Sequence, residues 1–139
     1  MRSAIISLLT LILWGCAYLP PEVSSLQVTA RDGGLVYYGT IKHELPAVVT
    51  ITVEVDRRVY SGRFELTGAN ETFGFYRAYG PPDAVPRTAQ DLSRTNYTRA
   101  ILSSSDYRIL RCDFTDTGGR QANGVCVDDA RRVYDVVLS

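Results

Sequence analysis

Hydrophobic and polar residues alternate with a period of two along most of the chain after residue 25. The clearest run is Val49 to Val55, in which valine and isoleucine alternate with threonine and glutamate. Alternation of this kind, in mostly β-branched residues, is typical of a half-buried strand. It resumes from Tyr60 to Leu66, beyond Asp56-Arg57, so the two runs predict a β-hairpin with a tight turn.

Similar runs follow along the rest of the chain, and no stretch of it shows a sustained helical period. Further strands are predicted over residues 26–30, 35–42, 73–79, 97–103, 107–114, 124–127 and 133–138. About eight short strands separated by Gly, Asp and Asn indicate a single small all-β domain, an antiparallel sandwich or barrel. Closure of a barrel depends on strand register, which the pattern does not give, so both architectures stay open.

The tetrapeptide Arg-Arg-Val-Tyr occurs twice, at residues 57–60 and 131–134, in each case shortly after aspartate. Both copies predict hairpins of the same kind. We expect each tyrosine to face the core and the second arginine of each copy to point outward.

Two features favour a protein-contact surface. Adjacent aromatic residues at 37–38 and 75–76 put one ring of each pair outside, because neighbours on a strand face opposite sides. Residues 80–94 lack periodicity, and such long loops are often functional. The alternatives are cross-strand pairing on an exposed sheet face and a plain mobile loop. The residues expected to contact a partner are Tyr38, Tyr76, Tyr79, Pro81, Pro82 and Arg87.

Charge and motifs argue against several functions. The chain has 15 basic and 15 acidic residues, a balance that argues against a nucleic-acid partner. His43 is the single histidine, and no Gly-x-Ser-x-Gly motif is present, so we expect no catalytic residue, no enzymatic activity and no cofactor. Asp113, Asp116, Asp128 and Asp129 match no calcium loop; we expect solvated turns there and no metal.

The N-terminus has the layout of a signal peptide. A charged start precedes an apolar run of 11 residues from Ala4 to Trp14, shorter than the roughly 20 that span a membrane. Leu13-Trp14-Gly15-Cys16 resembles the lipobox of bacterial lipoproteins. The alternative is an ordinary secretory signal with a chance cysteine nearby.

The lipobox resemblance implies cleavage after residue 15 and lipid on Cys16. Residues 16–25 would form a Pro-containing tether with little structure, and residues 26–139 a periplasmic β domain. Several acyl chains hold a protein on a membrane almost permanently. Lipoproteins kept at the inner membrane carry aspartate after the cysteine, and Ala17 stands there, so the resemblance implies the periplasmic face of the outer membrane.

Export would place Cys112 and Cys126 in an oxidising compartment, where we expect them to form a disulfide. A two-cysteine metal site lacks further ligands. The segment with Leu110 to Phe114, Gly124 to Cys126 and Tyr134-Asp135 loosely resembles the C-terminal part of small uncharacterised proteobacterial lipoproteins, a resemblance that implies no activity.

Taken together, these features predict a non-catalytic outer-membrane lipoprotein whose β domain binds a protein partner, in an envelope or secretion assembly. The alternative is a lipid-anchored inhibitor or exclusion factor that acts on an enzyme, a phage or a conjugation system. The identity of the partner and the oligomeric state stay open.

Overall fold

The computed structural model describes residues 22–44, 48–67, 69–81, 96–116 and 123–138. The proposed signal peptide, Cys16 and residues 82–94 of the predicted contact loop lie outside these ranges. The described elements are β1 (Glu22–Ala30), β2 (Val36–Glu44), β3 (Val48–Val55), β4 (Arg58–Leu66), α1 (Ala69–Tyr79), β5 (Asn96–Ser103), β6 (Ile109–Asp116), β7 (Asn123–Asp128) and β8 (Val133–Leu138). Among the described residues, no helix has the length and apolar character needed to cross a membrane.

The eight strands form a closed antiparallel barrel. Each strand pairs with the next along the chain, and β1 closes the barrel by pairing with β8, with Leu26 opposite Leu138 and Ala30 opposite Tyr134. The predicted all-β class is confirmed. Of the two architectures that the sequence pattern allowed, sandwich and barrel, the structure has the barrel. A closed barrel has no free sheet edge along which another strand could add.

The two-residue period fills the barrel with apolar side chains. In β3, Ile51, Val53 and Val55 are buried, while Thr52 and Glu54 lie on the outer wall. The remaining seven strands all contribute to the same interior. It also contains Leu26, Val28, Ala30, Ile41, Tyr60, Ala100, Leu102, Leu110, Phe114, Cys126, Tyr134 and Val136.

The disulfide lies on the inner face of the barrel wall. Cys112 of β6 and Cys126 of β7 are directly opposite in the strand register, are each 1% exposed, and are bonded to each other. The predicted pairing is confirmed. The bond joins two neighbouring strands from the side that packs against the core.

Gly62 lies on β4 where β5 approaches closely. A Cβ at this position would lie 2.3 Å from the carbonyl oxygen of Ile101 and 2.9 Å from a methyl carbon of Leu102. Neither the backbone oxygen nor the buried leucine can move away freely. The strand spacing on this side of the barrel therefore requires a residue without a side chain.

Replacing Gly62 with alanine is expected to lower the free energy of unfolding by about 1–3 kcal/mol, because it overpacks the interior. Gly74→Ala is the matched control, since a Cβ at Gly74 of α1 meets nothing within 4 Å. There, alanine is expected to raise stability by roughly 0.5–1 kcal/mol, as it does in helices generally. Urea unfolding of the two variants would measure both changes, and equal effects would contradict the close approach.

Residues 73–79, predicted as a strand, instead belong to helix α1. Its buried positions are Thr72, Phe75 and Tyr76, with Tyr79 partly buried, a spacing of three and four residues that marks one face of a helix. That face packs on the outside of the barrel, where Phe75 and Tyr76 form a second apolar cluster with two valines of β7, Val125 and Val127. The prediction that one ring of the Phe75-Tyr76 pair faces solvent is therefore wrong, because the helical geometry buries both.

Strand β1 begins earlier than predicted. The tether was expected to extend to residue 25 without structure, but β1 starts at Glu22, which pairs with His43 of β2. Ser24 and Ser25, the last two residues of the predicted tether, lie opposite Ile41 and Thr40. Backbone pairing with β2 orders this segment although its side chains do not predict it.

Candidate protein-contact surface

Four hairpin turns lie together at one end of the barrel. Because consecutive strands are antiparallel, the turns after β1, β3, β5 and β7 all fall at the same end, which we call the turn end. Strand β1 begins and β8 finishes at the opposite end. The chain therefore enters the barrel on the side away from these turns.

The two Arg-Arg-Val-Tyr segments form equivalent parts of the turn end. Tyr60 and Tyr134 are 4% and 1% exposed, so the prediction that they face the core is confirmed. The second arginines, Arg58 and Arg132, precede these tyrosines by two residues, so their side chains leave the strand on the same face as the tyrosines. They were expected to point outward, but each reaches over the rim of the barrel to an aspartate of another turn.

These arginines belong to a cycle of three ion pairs that joins three of the turns. Each turn directs its arginine to the aspartate of the next, so that every turn both gives and receives one contact. The pairs are Arg58 Nε to Asp106 Oδ2 at 2.8 Å, Arg108 Nη1 to Asp129 Oδ2 at 3.4 Å, and Arg132 Nη1 to Asp56 Oδ2 at 2.6 Å. We call these six residues the turn ring.

Further contacts favour the charged form of two aspartates of the turn ring, Asp56 and Asp106. The Tyr37 hydroxyl donates to Asp56 Oδ1 at 2.5 Å, and this bond, together with the one from Arg132, lowers the pKa of Asp56 below its ordinary value. The pKa of Asp106 is lowered as well, first by the Ser104 hydroxyl and then by Arg58. Both carboxylates therefore stay ionised at neutral pH and well into the acid range.

At the tip of each of these three turns, a large side chain occupies a left-handed backbone conformation. Arg57, Tyr107 and Arg131 each have a φ of 63°. We call them the tip residues. Glycine and asparagine adopt this conformation readily, whereas other side chains do so at a cost of roughly 1 kcal/mol or more.

Two of the turns share the same hydrogen bonds. In the β5–β6 turn, the Tyr107 amide donates to the Ser104 carbonyl, and the Ser104 amide donates to the Arg108 carbonyl. The β7–β8 turn repeats both bonds at positions 131, 128 and 132. This is the arrangement of a hairpin loop that ends in a left-handed residue, for which glycine is the usual choice. Tyr107 and Arg131 thus stand where glycine would fit with less strain.

The tip residues are also exposed. Tyr107 is 91% exposed, and Arg57 and Arg131 are classed with the exposed residues. Within the part of the chain that the structure describes, neither arginine forms an ion pair, in contrast to the arginines of the turn ring. The turn end therefore presents one aromatic ring and two unpaired cations on a framework that ion pairs hold in place.

Replacing Tyr107 with glycine is expected to raise the free energy of unfolding by about 1 kcal/mol, because it relieves the left-handed strain. Tyr38 is also exposed, at 71%, but lies within strand β2, so Tyr38→Gly is the control and is expected to lower stability. Thermal unfolding of both variants would test this. A loss of stability in Tyr107→Gly would show that the tyrosine ring contributes more to the fold than its backbone conformation costs.

The residues predicted to contact a partner are not brought together. Tyr38 lies on the outer wall of β2, four strands away from β6 and therefore across the barrel from α1. Tyr79 is partly buried and packs against Phe75, and Pro81 is partly buried after the end of α1. Pro82 and Arg87 lie outside the described residues.

Tyr76 is a packing residue. Its side chain is 1% exposed, and its hydroxyl lies 3.0 Å from the Asn123 carbonyl oxygen and 3.2 Å from that of Asp113. It fastens α1 to the ends of β6 and β7 and does not reach solvent. Burial raises the pKa of Tyr76 to about 12.

This raised pKa predicts a loss of stability in alkali. A group whose pKa is higher in the folded state than in the unfolded state stabilises the fold fully at any pH below its unfolded-state pKa, which is about 10 for tyrosine. This stabilisation is lost as the pH rises through the folded-state pKa. Tyr76→Phe is expected to cost about 1 kcal/mol at pH 8 through its lost hydrogen bond. It should also flatten the decline between about pH 10 and 12. Urea unfolding across this range would measure both effects; an unchanged slope would contradict them.

Beneath α1, Asp113 is fully buried between two arginines. Arg99 Nε and Arg111 Nε approach its Oδ1 at 3.1 and 3.2 Å, and a second nitrogen of each guanidinium contacts Oδ2. Glu71 of α1 pairs with Arg99 at 3.0 Å, and the guanidinium of Arg111 stacks 4.1 Å above the ring of Phe75. Asp113 therefore joins the helix to the barrel wall.

The acidic residues near the disulfide do not form one cluster. Asp113 was expected in a solvated turn, and that prediction is wrong because α1 covers its position on β6. Asp128 and Asp129 do lie at a turn, where Asp128 accepts hydrogen bonds from the Arg132 amide and the Tyr134 hydroxyl. Among the described residues, no three His, Cys, Asp or Glu side chains come close enough together to hold a metal ion.

A shallow cleft of about 340 Å³ separates the end of α1 from the turn end. Its walls combine four apolar or aromatic side chains with four charged ones: Phe75, Tyr79, Ile109 and Val127, and Arg111, Arg131, Asp128 and Asp129. Through Arg131 the cleft is continuous with the tip residues. The apolar side chains around it extend the candidate surface beyond the turns.

Sequence reasoning missed the tip residues. The Asp-Arg-Arg and Asp-Asp-Ala-Arg-Arg segments did predict the turns themselves. A pattern of residue types does not show which turn position takes a positive φ when glycine is absent from it. The available signal was the repeat of Arg-Arg after aspartate, which places one arginine at each of two tips.

Comparison of the chain with protein-family models, with curated proteins and with solved structures finds no match. The class of the protein is the one that its architecture defines: a closed eight-stranded antiparallel barrel with helix α1 on its outer wall.

Proposed function

We propose that the protein is a non-catalytic, lipid-anchored β-barrel that binds a protein partner through its turn end. The observation that carries this proposal is the set of three exposed tip residues held in a strained backbone conformation. Strain of this kind persists where the surrounding structure enforces it, and it is concentrated at functional sites. Glycine at these positions would give a more stable protein with a bare surface.

The residue types support a protein contact. Tyrosine and arginine are enriched among the residues that dominate binding energy at protein interfaces. A preorganised arrangement of such residues reduces the ordering that association requires. The hydrogen-bonded hairpin turns supply this preorganisation, and each exposed ion pair of the turn ring adds about 1 kcal/mol or less. The cleft beside Arg131 adds area around the tips.

The position of the turn end agrees with an anchor at the N-terminus. Lipid on Cys16, as the lipobox resemblance implies, would hold the end of the barrel where β1 begins. The tip residues would then point away from the membrane, and from the outer membrane they would extend into the periplasm. This orientation favours a partner that is not the anchoring lipid surface.

The anchor is tested by expressing the full chain with its signal and following its distribution between membrane and soluble fractions. Cys16→Ser is expected to abolish incorporation of labelled fatty acid and release the protein from the membrane. Membrane association that persists in this variant, without acylation, would overturn the lipid anchor.

The contact surface is tested by photo-crosslinking in living cells, with a benzophenone amino acid placed at position 107. The same probe at position 38, which is also exposed but lies on the barrel wall, is the control. We expect a discrete crosslinked protein, identified by mass spectrometry, from position 107 and not from position 38. The partner-binding proposal fails if positions 57, 107 and 131 all yield no crosslinked protein.

A further inference from the structure

The charges of the turn end are paired in a selective way. Arg31 contacts Asp135, and each arginine of the turn ring contacts an aspartate. Arg132 also lies 3.4 Å from Asp32. In the described ranges, the two cations of these turns that lack an acidic partner are therefore the tip residues Arg57 and Arg131.

The acidic groups of the turn end are paired with neighbouring groups of the same turns. Asp56, Asp106 and Asp129 are held by ring arginines, and Asp128 accepts hydrogen bonds from the Arg132 amide and the Tyr134 hydroxyl. Each of these carboxylates has a partner, although the paired aspartates stay 37–62% exposed. Among the described residues of these turns, the exposed charges without an ion-pair partner are the guanidinium groups of Arg57 and Arg131, and the ring of Tyr107 is 91% exposed beside them in the strand order.

We propose that the partner presents an acidic protein surface, with carboxylates that pair with Arg57 and Arg131 on either side of a contact with Tyr107. This inference rests on the proposed function and names the chemistry of its partner. Guanidinium groups form bidentate pairs with carboxylates, which fix orientation as well as attract. An aromatic ring between two such pairs supplies a desolvated centre of the kind found in binding hot spots.

The turn ring sets the distances between the tip residues, and these distances give the contact with the partner its specificity. Arg57 lies between Asp56 and Arg58, and Tyr107 lies between Asp106 and Arg108, so both tips are flanked by ring residues. Arg131 directly precedes Arg132, a ring residue of the third turn. A partner must match three fixed points, and charge complementarity of this kind selects partners and speeds their association.

The experiment uses the full-length anchored protein with the photo-crosslinking probe at position 107. A variant carrying Arg57→Glu and Arg131→Glu is compared with a control carrying Arg63→Glu and Arg77→Glu, two exposed arginines of β4 and α1. We expect the tip variant to lose crosslinked product by on the order of tenfold or more, because rim charges govern association, and the control to retain it. Tandem mass spectrometry of the crosslinked peptide is expected to find Asp or Glu beside the attachment point.

The outcomes separate the two proposals. No crosslinked protein from a probe at position 57, 107 or 131 in the otherwise unmodified chain contradicts partner binding itself. If the yield of crosslinked protein is the same in the tip variant and in the control, the proposal of partner binding stands and the proposal of an acidic partner surface fails. A crosslink to lipid instead of protein also overturns it. Because the tip arginines form no ion pair with any described residue, circular dichroism and the melting temperature of the tip variant are expected to match those of the control.

Discussion

Replacing Asp113 with asparagine is expected to lower the free energy of unfolding by about 3–5 kcal/mol, the usual effect of removing one partner of a buried ion pair. Asp113 is fully buried and is the shared counter-ion of Arg99 and Arg111. Without its charge, two guanidinium groups face each other beneath α1. The helix is then expected to loosen from the barrel wall before the barrel itself unfolds.

The matched control is Asp135→Asn. Asp135 also pairs with an arginine, Arg31, but the two side chains are 42% and 39% exposed. Solvent screening makes such a pair worth about 1 kcal/mol or less. Urea unfolding followed by circular dichroism would measure both variants. If the two substitutions cost the same, the buried position of Asp113 does not determine its contribution.

Removing the disulfide is expected to cost about 3 kcal/mol, since Cys112 and Cys126 close a loop with a sequence separation of 14. The double variant Cys112→Ala/Cys126→Ala is also expected to lose some packing, because both sulfurs lie in the barrel interior. The measurement is the urea midpoint together with the slope of the transition.

Reduction of the unmodified protein separates these two contributions, because it breaks the bond and keeps both sulfur atoms. Reduced protein is expected to lie between the oxidised protein and the double variant. If reduced and oxidised proteins unfold at the same urea concentration, the bond does not stabilise the barrel and the cysteines act only as core residues.

Most of the barrel follows from the local alternation of residues. In β3 and β4 the two-residue period, the β-branched composition and the short Asp56-Arg57 turn all favour the same hairpin, and the structure has that hairpin. Closure was not predictable in the same way. It depends on pairing between β1 and β8, which are separated by the whole domain, and no local pattern encodes that register.

Helix α1 shows where local reading fails. Phe75 and Tyr76 are adjacent, a pairing that favours opposite faces if the segment is a strand. The helical spacing becomes evident only when Thr72 and Tyr79 are counted with them, and Thr72 is polar. What decides the conformation is the presence of Val125 and Val127 on the outer wall, a surface that forms only after the barrel has folded.

The candidate site was less predictable than the fold. A contact surface rich in tyrosine and arginine was predicted, but of the proposed residues Tyr76 is buried and Tyr38 lies on the far wall. The tip residues were hidden because an arginine or tyrosine does not indicate a left-handed backbone by its identity. The prediction for Asp113 was wrong for a related reason. Its position on the outer face of β6 predicts an exposed side chain, and only the packing of α1 over it shields that side chain from solvent.

The turn ring also makes the proposed binding surface depend on completed folding. Its members come from residues 56 to 132, so Arg132 can reach Asp56 only after the final hairpin has joined the sheet. A chain interrupted before β8, or one whose last strand has detached, would lack this closing contact and would leave the three tips independent of one another. A partner that requires all three in register would then discriminate finished molecules from incomplete ones without sensing the barrel interior at all.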